Sequence, residues 1–313
     1  MVMSGGGDDR AYIWDRSNGE TLHKLEAHSD SVIAVGFSAD GKLAASGGMD
    51  GKIQVFNAST GALVICLEGP DEVTWLQWHP KGPVLLVGAA DSSIWMFQLP
   101  SGQVMNVFSG HSAAVTCGAF TPDGKHIVTG SEDATLILWD PKSARALWRL
   151  TGADARFHQS AITNLAISDD STLILSGSVD ATAKLITLAA GEIISSFENH
   201  TDSVETIGFA HSMALAATGS VDGNINIWDT TTLRLRQTCK HEDSVIKLIW
   251  HPTAPFIYSC SVDQTVCMWD ARTGACVRKW QGHQDSVLAL ALSPDGSFVV
   301  TGSDDGNSLV FQS

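Results

Sequence analysis

The sequence predicts an all-β fold, an eight-bladed β-propeller, on two observations. First, an aspartate in a tight-turn context recurs eight times, and six residues after each comes a large side chain. The pairs are Asp8/Trp14, Asp50/Phe56, Asp91/Phe97, Asp133/Trp139, Asp180/Ile186, Asp222/Trp228, Asp263/Trp269 and Asp305/Phe311. Successive large residues lie 42, 41, 42, 47, 42, 41 and 42 positions apart. A fixed period in this range marks an array of one supersecondary unit and matches a four-stranded blade. Second, every period contains four short, β-branched, partly alternating segments and no stretch with a 3.6-residue apolar period.

Within a period the elements follow one order. A loop ending in Gly-His or a variant opens it, and an apolar strand follows. A Pro/Asp/Gly turn comes next, as in Thr121-Pro122-Asp123-Gly124 and Ser293-Pro294-Asp295-Gly296. The second strand ends in a Gly/Ser tract such as Thr218-Gly219-Ser220. The turn aspartate, a third strand, a short turn and a fourth strand complete the unit. Residues 1–26 supply a second, third and fourth strand but no first, and residues 286–312 a first, second and third but no fourth. The expectation is therefore one propeller domain over residues 1–313, with incomplete first and last blades and an upstream segment that would hold two strands. In a seven-bladed alternative, residues 21–26 complete the final blade and the first 20 residues stay unpaired. Ser4-Gly5-Gly6-Gly7-Asp8 followed by Trp14-Asp15 is a full blade signature and favours eight.

Composition narrows the function. The 313 residues carry 34 acids against 19 bases, a formal net charge of -15. That argues against grasping a nucleic-acid backbone, which needs a basic footprint, and suits a basic partner. No run approaches the ~20 apolar residues of a membrane helix, and Met1 is not followed by a secretory signal. The six cysteines form no CxxC pair and fall in expected strands, as reduced buried thiols do. Asn57-Ala58-Ser59 and Asn199-His200-Thr201 match the glycosylation sequon, but without a secretory signal they read as chance. No phosphate-cradling loop and no metal-ligand spacing appears, so the chain reads as a binding module with neither catalytic residues nor a cofactor.

These residues resemble the WD-repeat family along the whole chain. Trp139-Asp140, Trp228-Asp229 and Trp269-Asp270 close third strands, and Gly110-His111 and Gly282-His283 open repeats. The resemblance implies buried hydrogen-bonded sets at His111, Thr129, Asp133 and Trp139; at His200, Thr218, Asp222 and Trp228; and at His241, Ser259, Asp263 and Trp269. A buried imidazole needs its polar atoms satisfied, and a carboxylate does that. Because the set recurs, it is read as structural and not as a catalytic triad. Gly69-Pro70 replaces Gly-His in one repeat. Phe56, Phe97, Ile186 and Phe311 replace the tryptophan in four, which should lean more on apolar packing.

In such an architecture the loop before the first strand shares one face, the top, with the aspartate turn. Those loops are acidic: Glu26 and Asp30, Glu68 with Asp71 and Glu72, Asp154, Glu198 with Asp202, Glu242 with Asp243, and Asp285, with Glu132 and Asp304 added by the turns. Bases there are few, mainly Arg10, Arg156 and Lys240. Lys42, Lys81, Lys125, Lys142, Arg145, Arg272 and Arg278 fall in opposite turns or outer strands. A one-sided ring of charge concentrates a basic partner. The candidate partner-binding residues are Asp30, Asp71, Glu72, Trp75, Glu132, Asp202, Glu205, Glu242, Asp243, Asp285 and Asp304. Trp75 has a plainer reading as packing between blades. Phe157, in the longest top loop, is either a contact residue or a staple for that loop.

A narrower resemblance rests on Trp75-Leu76-Gln77-Trp78-His79-Pro80, Ile94-Trp95-Met96-Phe97, Leu173-Ile174-Leu175-Ser176-Gly177-Ser178-Val179-Asp180 and Trp269-Asp270-Ala271-Arg272-Thr273-Gly274. These stretches resemble the angio-associated migratory cell protein family and its fungal counterpart. The resemblance implies a dedicated chaperone for a basic large-subunit ribosomal protein in ribosome assembly, holding the client's basic N-terminal segment on the acidic top face. It implies a cytoplasmic protein, with the nucleus as a second location. A monomer with no direct nucleic-acid contact and no membrane insertion is expected. Two other functions stay open. Trp269-Asp270-Ala271-Arg272 resembles the motif by which substrate receptors of cullin-type ubiquitin ligases dock their adaptor, although Arg272 also reads as an ordinary turn residue. A histone or signalling scaffold would also suit an acidic face.

Overall fold

Among the described residues, short runs of branched and aromatic residues between turn residues form thirty antiparallel strands. In each of eight sheets they hydrogen-bond in chain order. The computed structural model describes residues 1–26 and 28–313, and no helix is present among them. The fold is an all-β, eight-blade β-propeller. The blades span 2–25, 32–68, 73–109, 115–150, 162–197, 204–240, 245–280 and 287–312. The first and last have three strands and the other six have four, as the repeat pattern predicts. The chain divides into two compact units, Met1–Leu150 with blades one to four and Thr151–Ser313 with blades five to eight.

Within each unit, neighbouring blades share their apolar faces. Ile53, Val55 and Leu67 of blade two meet Val73, Leu85 and Phe97 of blade three. Ile225 and Ile227 of blade six likewise meet Leu248, Trp250 and Trp269 of blade seven. Each such side chain, fully buried, contributes about 1.5–3 kcal/mol. Trp75 is part of this packing. Its indole lies against two glycines, so that a Cβ at Gly88 or Gly118 would sit 2.2 Å from the ring. Its N–H donates to the Val115 carbonyl of the next blade at 3.0 Å.

Antiparallel pairing brings the loop before a blade's first strand to the same end as the turn between its second and third strands. There the polar set forms. The Nε2 of His28, His111, His158, His200, His241 and His283 lies 2.7–2.9 Å from a second-strand hydroxyl. In five of the six, Nδ1 lies 2.9–3.0 Å from the turn carboxylate. In three blades the indole N–H of Trp139, Trp228 or Trp269 donates to the same hydroxyl at 2.8–3.0 Å. Counting donors assigns the protons: indole to hydroxyl, hydroxyl to Nε2, Nδ1–H to carboxylate. Every polar hydrogen then has an acceptor with the imidazole neutral. Blades two, five and eight keep histidine, hydroxyl and carboxylate although their large residue is not tryptophan.

Blade four inserts a relay. His111 Nδ1 donates to Thr135 Oγ1 at 2.7 Å, and Thr135 donates to Asp133 at 2.5 Å. Arg149 Nη2 stands 3.6 Å from the same carboxylate. Burial pushes the His111 imidazole down from 6.5 to about 4 against the pull of Asp133, and the Arg149 charge assists. Burial alone would raise the carboxyls of Asp180 and Asp263. Hydrogen bonds from His158 and Thr182, and from His241 and Thr265, outweigh it and hold both below the usual carboxylate range.

Blade three has no such histidine. Pro70 occupies its place, and a Cβ on the preceding Gly69 would lie 3.3 Å from the Trp95 and Phe97 rings. Trp95 N–H donates to Ser93 Oγ at 2.8 Å, and the Ser93 hydroxyl and N–H donate to Asp91 Oδ1 at 2.5 and 2.9 Å. Asp91 is therefore oriented from its own turn alone, and it is exposed.

Two outcomes are expected. Asp263→Ala strands the buried His241 Nδ1–H and should cost about 3 kcal/mol in urea unfolding, whereas Glu242→Gln, in the exposed loop beside it, should stay within about 0.5 kcal/mol. All the depressed groups act in the same direction with pH. His111 contributes stability that is full above pH 6.5 and lost as pH falls towards about 4. Asp180 and Asp263 contribute stability lost as pH falls below their ordinary 3.8. The urea midpoint should therefore decline gradually below pH 6.5 and more steeply below pH 4; a flat midpoint from pH 7 to 5 would contradict the His111 assignment.

Candidate functional site

The polar set also shapes the loop above it. The turn carboxylate accepts the N–H of the residue after the histidine: Ser29 to Asp50 at 2.9 Å, Thr201 to Asp222 at 3.0 Å, Glu242 to Asp263 at 3.1 Å and Gln284 to Asp305 at 2.9 Å. In blades two, six, seven and eight the next residue is Asp30, Asp202, Asp243 or Asp285. Each of these uses one oxygen to accept the N–H of the following serine at 2.7–2.8 Å. All four are exposed. They occupy one register position, repeated from blade to blade, which a list of loop acids does not reveal.

Asp71 and Glu72 are exposed on the corresponding loop of blade three, where the Glu72 carbonyl accepts the Ala90 N–H at 3.0 Å. Glu132 and Asp304 precede the turn aspartates of blades four and eight, are exposed, and tie their backbone N–H groups to the Ala114 and Ser286 carbonyls at 3.0 Å. Glu242 is exposed beside Asp243. Among the described residues none of these nine carboxylates is in an ion pair.

Two of the three bases expected here pair with other acids, and Lys240 is in no ion pair among the described residues. Arg10 meets Glu26 at 3.2 Å and Asp8 at 3.8 Å, and Arg156 meets Asp154 at 2.8 Å. Arg149 is a base on this end that sequence reasoning missed, because only strand register shows it reaching Asp133. At the opposite ends of the blades, Lys42, Lys125 and Arg272 pair with Asp40, Asp123 and Asp270 of their own turns at 2.7–3.3 Å. Arg272 makes two bonds to Asp270, through Nε at 2.9 Å and Nη2 at 2.7 Å. Nine carboxylates without an ion pair among the described residues thus sit on the loops and turns around the first strands.

The remaining candidates are less free. Trp75 is half-buried in the packing described above. Glu205 is half-buried and accepts the Ser203 hydroxyl at 2.6 Å. Phe157 is 2% exposed and packs edge-on against His158 with centroids 4.9 Å apart, so it staples its loop. Among the described residues no cluster of His, Cys, Asp or Glu could hold a metal ion. Among the same residues no helix is long and apolar enough to cross a membrane.

Comparison with known proteins agrees with this geometry. The model of the WD domain, G-beta repeat, matches residues 19–57, 61–98, 102–140, 155–186, 191–229, 233–270 and 274–311. Angio-associated migratory cell protein of Homo sapiens is 39% identical over 326 residues, covering 99% of this chain and 74% of the relative. Ribosome assembly protein SQT1 of Saccharomyces cerevisiae is 27% identical over 352 residues, covering 100% of this chain and 81% of the relative. The crystal structure of Chaetomium thermophilum Sqt1 bound to the N-terminus of the ribosomal protein L10 superposes with a TM-score of 0.92 at 27% identity, covering 99% of this chain and 93% of that one. Eight blades, the repeated histidine–carboxylate set and these matches together place the chain in the WD-repeat family, among the relatives of angio-associated migratory cell protein and Sqt1.

Proposed function

We propose that this protein is a ribosome-assembly chaperone that captures the basic N-terminal segment of a large-subunit ribosomal protein on its acidic loops. The observation that carries the reading is the set of nine exposed carboxylates with no ion-pair partner among the described residues. A relative at 27% identity is bound to the N-terminus of ribosomal protein L10, which names the segment to try first. Asp30, Asp71, Glu72, Glu132, Asp202, Glu242, Asp243, Asp285 and Asp304 would meet client Lys and Arg. Trp75 and Glu205 would border the contact and hold its floor. The chain works by binding and needs no cofactor, as a cytoplasmic monomer with no direct hold on nucleic acid.

The mechanism is electrostatic capture. One exposed ion pair is worth about 0.2–1 kcal/mol, so no single contact decides affinity. Several together raise the encounter rate, shield the client's charge from RNA and let nascent ribosomes compete the segment away. Such capture must weaken as salt screens it.

Calorimetry with a peptide of the L10 N-terminus should show affinity falling at least about tenfold between roughly 50 and 500 mM salt. Changing Glu72, Asp202 and Glu242 together to Lys should abolish binding while leaving the unfolding midpoint near that of the parent. Salt-independent affinity, or an unaffected triple variant, would refute the reading.

A further inference from the structure

We infer that the turn aspartate of blade three, Asp91, has been released from the structural set to bind the partner, together with an apolar anchor formed by Ile33 and Met49 of blade two. This rests on the capture reading above and adds the place where a client's apolar side chain seats between its bases.

The other turn aspartates are engaged. Those of blades two and four to eight bind a loop histidine directly or, in blade four, through Thr135. Asp8 of blade one accepts the Tyr12 hydroxyl at 2.7 Å and lies 3.8 Å from Arg10. Asp91 has neither imidazole nor base. Pro70 stands where the histidine would be, and Trp95 packs against Gly69 in its stead. The Ser93 hydroxyl and N–H hold one oxygen of Asp91, and the other has no partner among the described residues. A carboxylate fixed in direction, exposed and unspent is preorganised for a cation.

The anchor lies on blade two, across the acidic loop of blade three. In blades two to eight the first strand bulges at its second residue, leaving that residue out of the ladder. At this position Thr74 and Thr163 donate across to the next blade's first strand, to the Val115 carbonyl at 2.6 Å and to the Val204 carbonyl. Ile33 has no hydroxyl to spend and stays 50% exposed. Met49, whose N–H donates to the Ser31 carbonyl at 2.9 Å, is 39% exposed on the neighbouring turn. That turn abuts the acidic loop of blade three: a Cβ on Gly51 would lie 3.0 Å from the Pro70 carbonyl oxygen and 3.4 Å from that of Asp71. Two exposed apolar side chains therefore lie on the strand and turn between the loops that carry Asp30 and Asp71. The occupant this fits is an extended basic segment with an aliphatic or aromatic residue flanked by Lys or Arg.

The test is calorimetry with the L10 N-terminal peptide on the intact chain, with melting temperature as a second readout. Asp91→Asn keeps the acceptor for Ser93, so the melting temperature should move by less than about 2 °C while affinity at low salt falls about fivefold. Ile33→Ser with Met49→Ser should weaken binding about tenfold at high and low salt alike, since apolar contact is not screened. If the parent binds and both variants bind as well as it does, the anchor is wrong and the capture reading stands. If Asp91→Asn melts as early as a variant of a histidine-bound aspartate, Asp91 is structural and the inference falls. If the parent fails to bind the peptide, both proposals fall together.

Discussion

A neutral imidazole held between a hydroxyl and a carboxylate decides the shape of most blade ends. It works because a buried donor without an acceptor costs more than a satisfied one gains. A loop that supplies the histidine has one favourable position over the turn that supplies the aspartate. The carboxylate then takes the next backbone N–H, and the residue after it is projected outward. Loop geometry is thus a by-product of satisfying one buried ring, and the exposed aspartates of blades two, six, seven and eight inherit their common orientation from it.

The protein divides its carboxylates between two uses. Those beneath the loops are consumed by histidines, hydroxyls and backbone amides. Those at the opposite turns are held either by a lysine or arginine two residues on, as at Asp40, Asp123 and Asp270, or by the hydroxyls of their own turns, as at Asp15, Asp140 and Asp170. The nine on the loop surface are not consumed. Unpaired like charges repel one another, and a fold tolerates them where its stability comes from apolar faces between blades and the charges remain in water. A cation approaching such loops meets carboxylates already oriented and has few local bases to displace.

The architecture was legible in the residues because each blade must solve the same problem in the same number of positions. The turn aspartate and the large residue six places later have to recur, and counting strands against that series leaves three in the first and last blades. The acidic loops were legible as charge. Their internal order was less so, since a side chain's partner depends on strand register and on the adjoining blade. Arg149 looks like an outer-strand base until pairing brings it to Asp133. Trp75 looks like a candidate anchor until Gly88 and Gly118 are seen to seat it. Phe157 could be assigned only once its ring was found against His158. Pro70 was visible as a departure, but what it does to Asp91 needed the three-dimensional neighbourhood of Trp95.

The hydrogen bonds of the turn have a further consequence for chemical durability. Asp50-Gly51 and Asp222-Gly223 are Asp–Gly bonds, the sequence in which a free aspartyl side chain most readily cyclises onto the following amide nitrogen and isomerises. In both, the carboxylate is fixed by a histidine and a backbone N–H. The glycine nitrogen that would attack donates instead to Gly48 or Ser220 at 3.1–3.2 Å. The same bonds that hold the loop therefore keep nucleophile and electrophile apart, and the ageing of these two peptide bonds is coupled to how seldom their blades open.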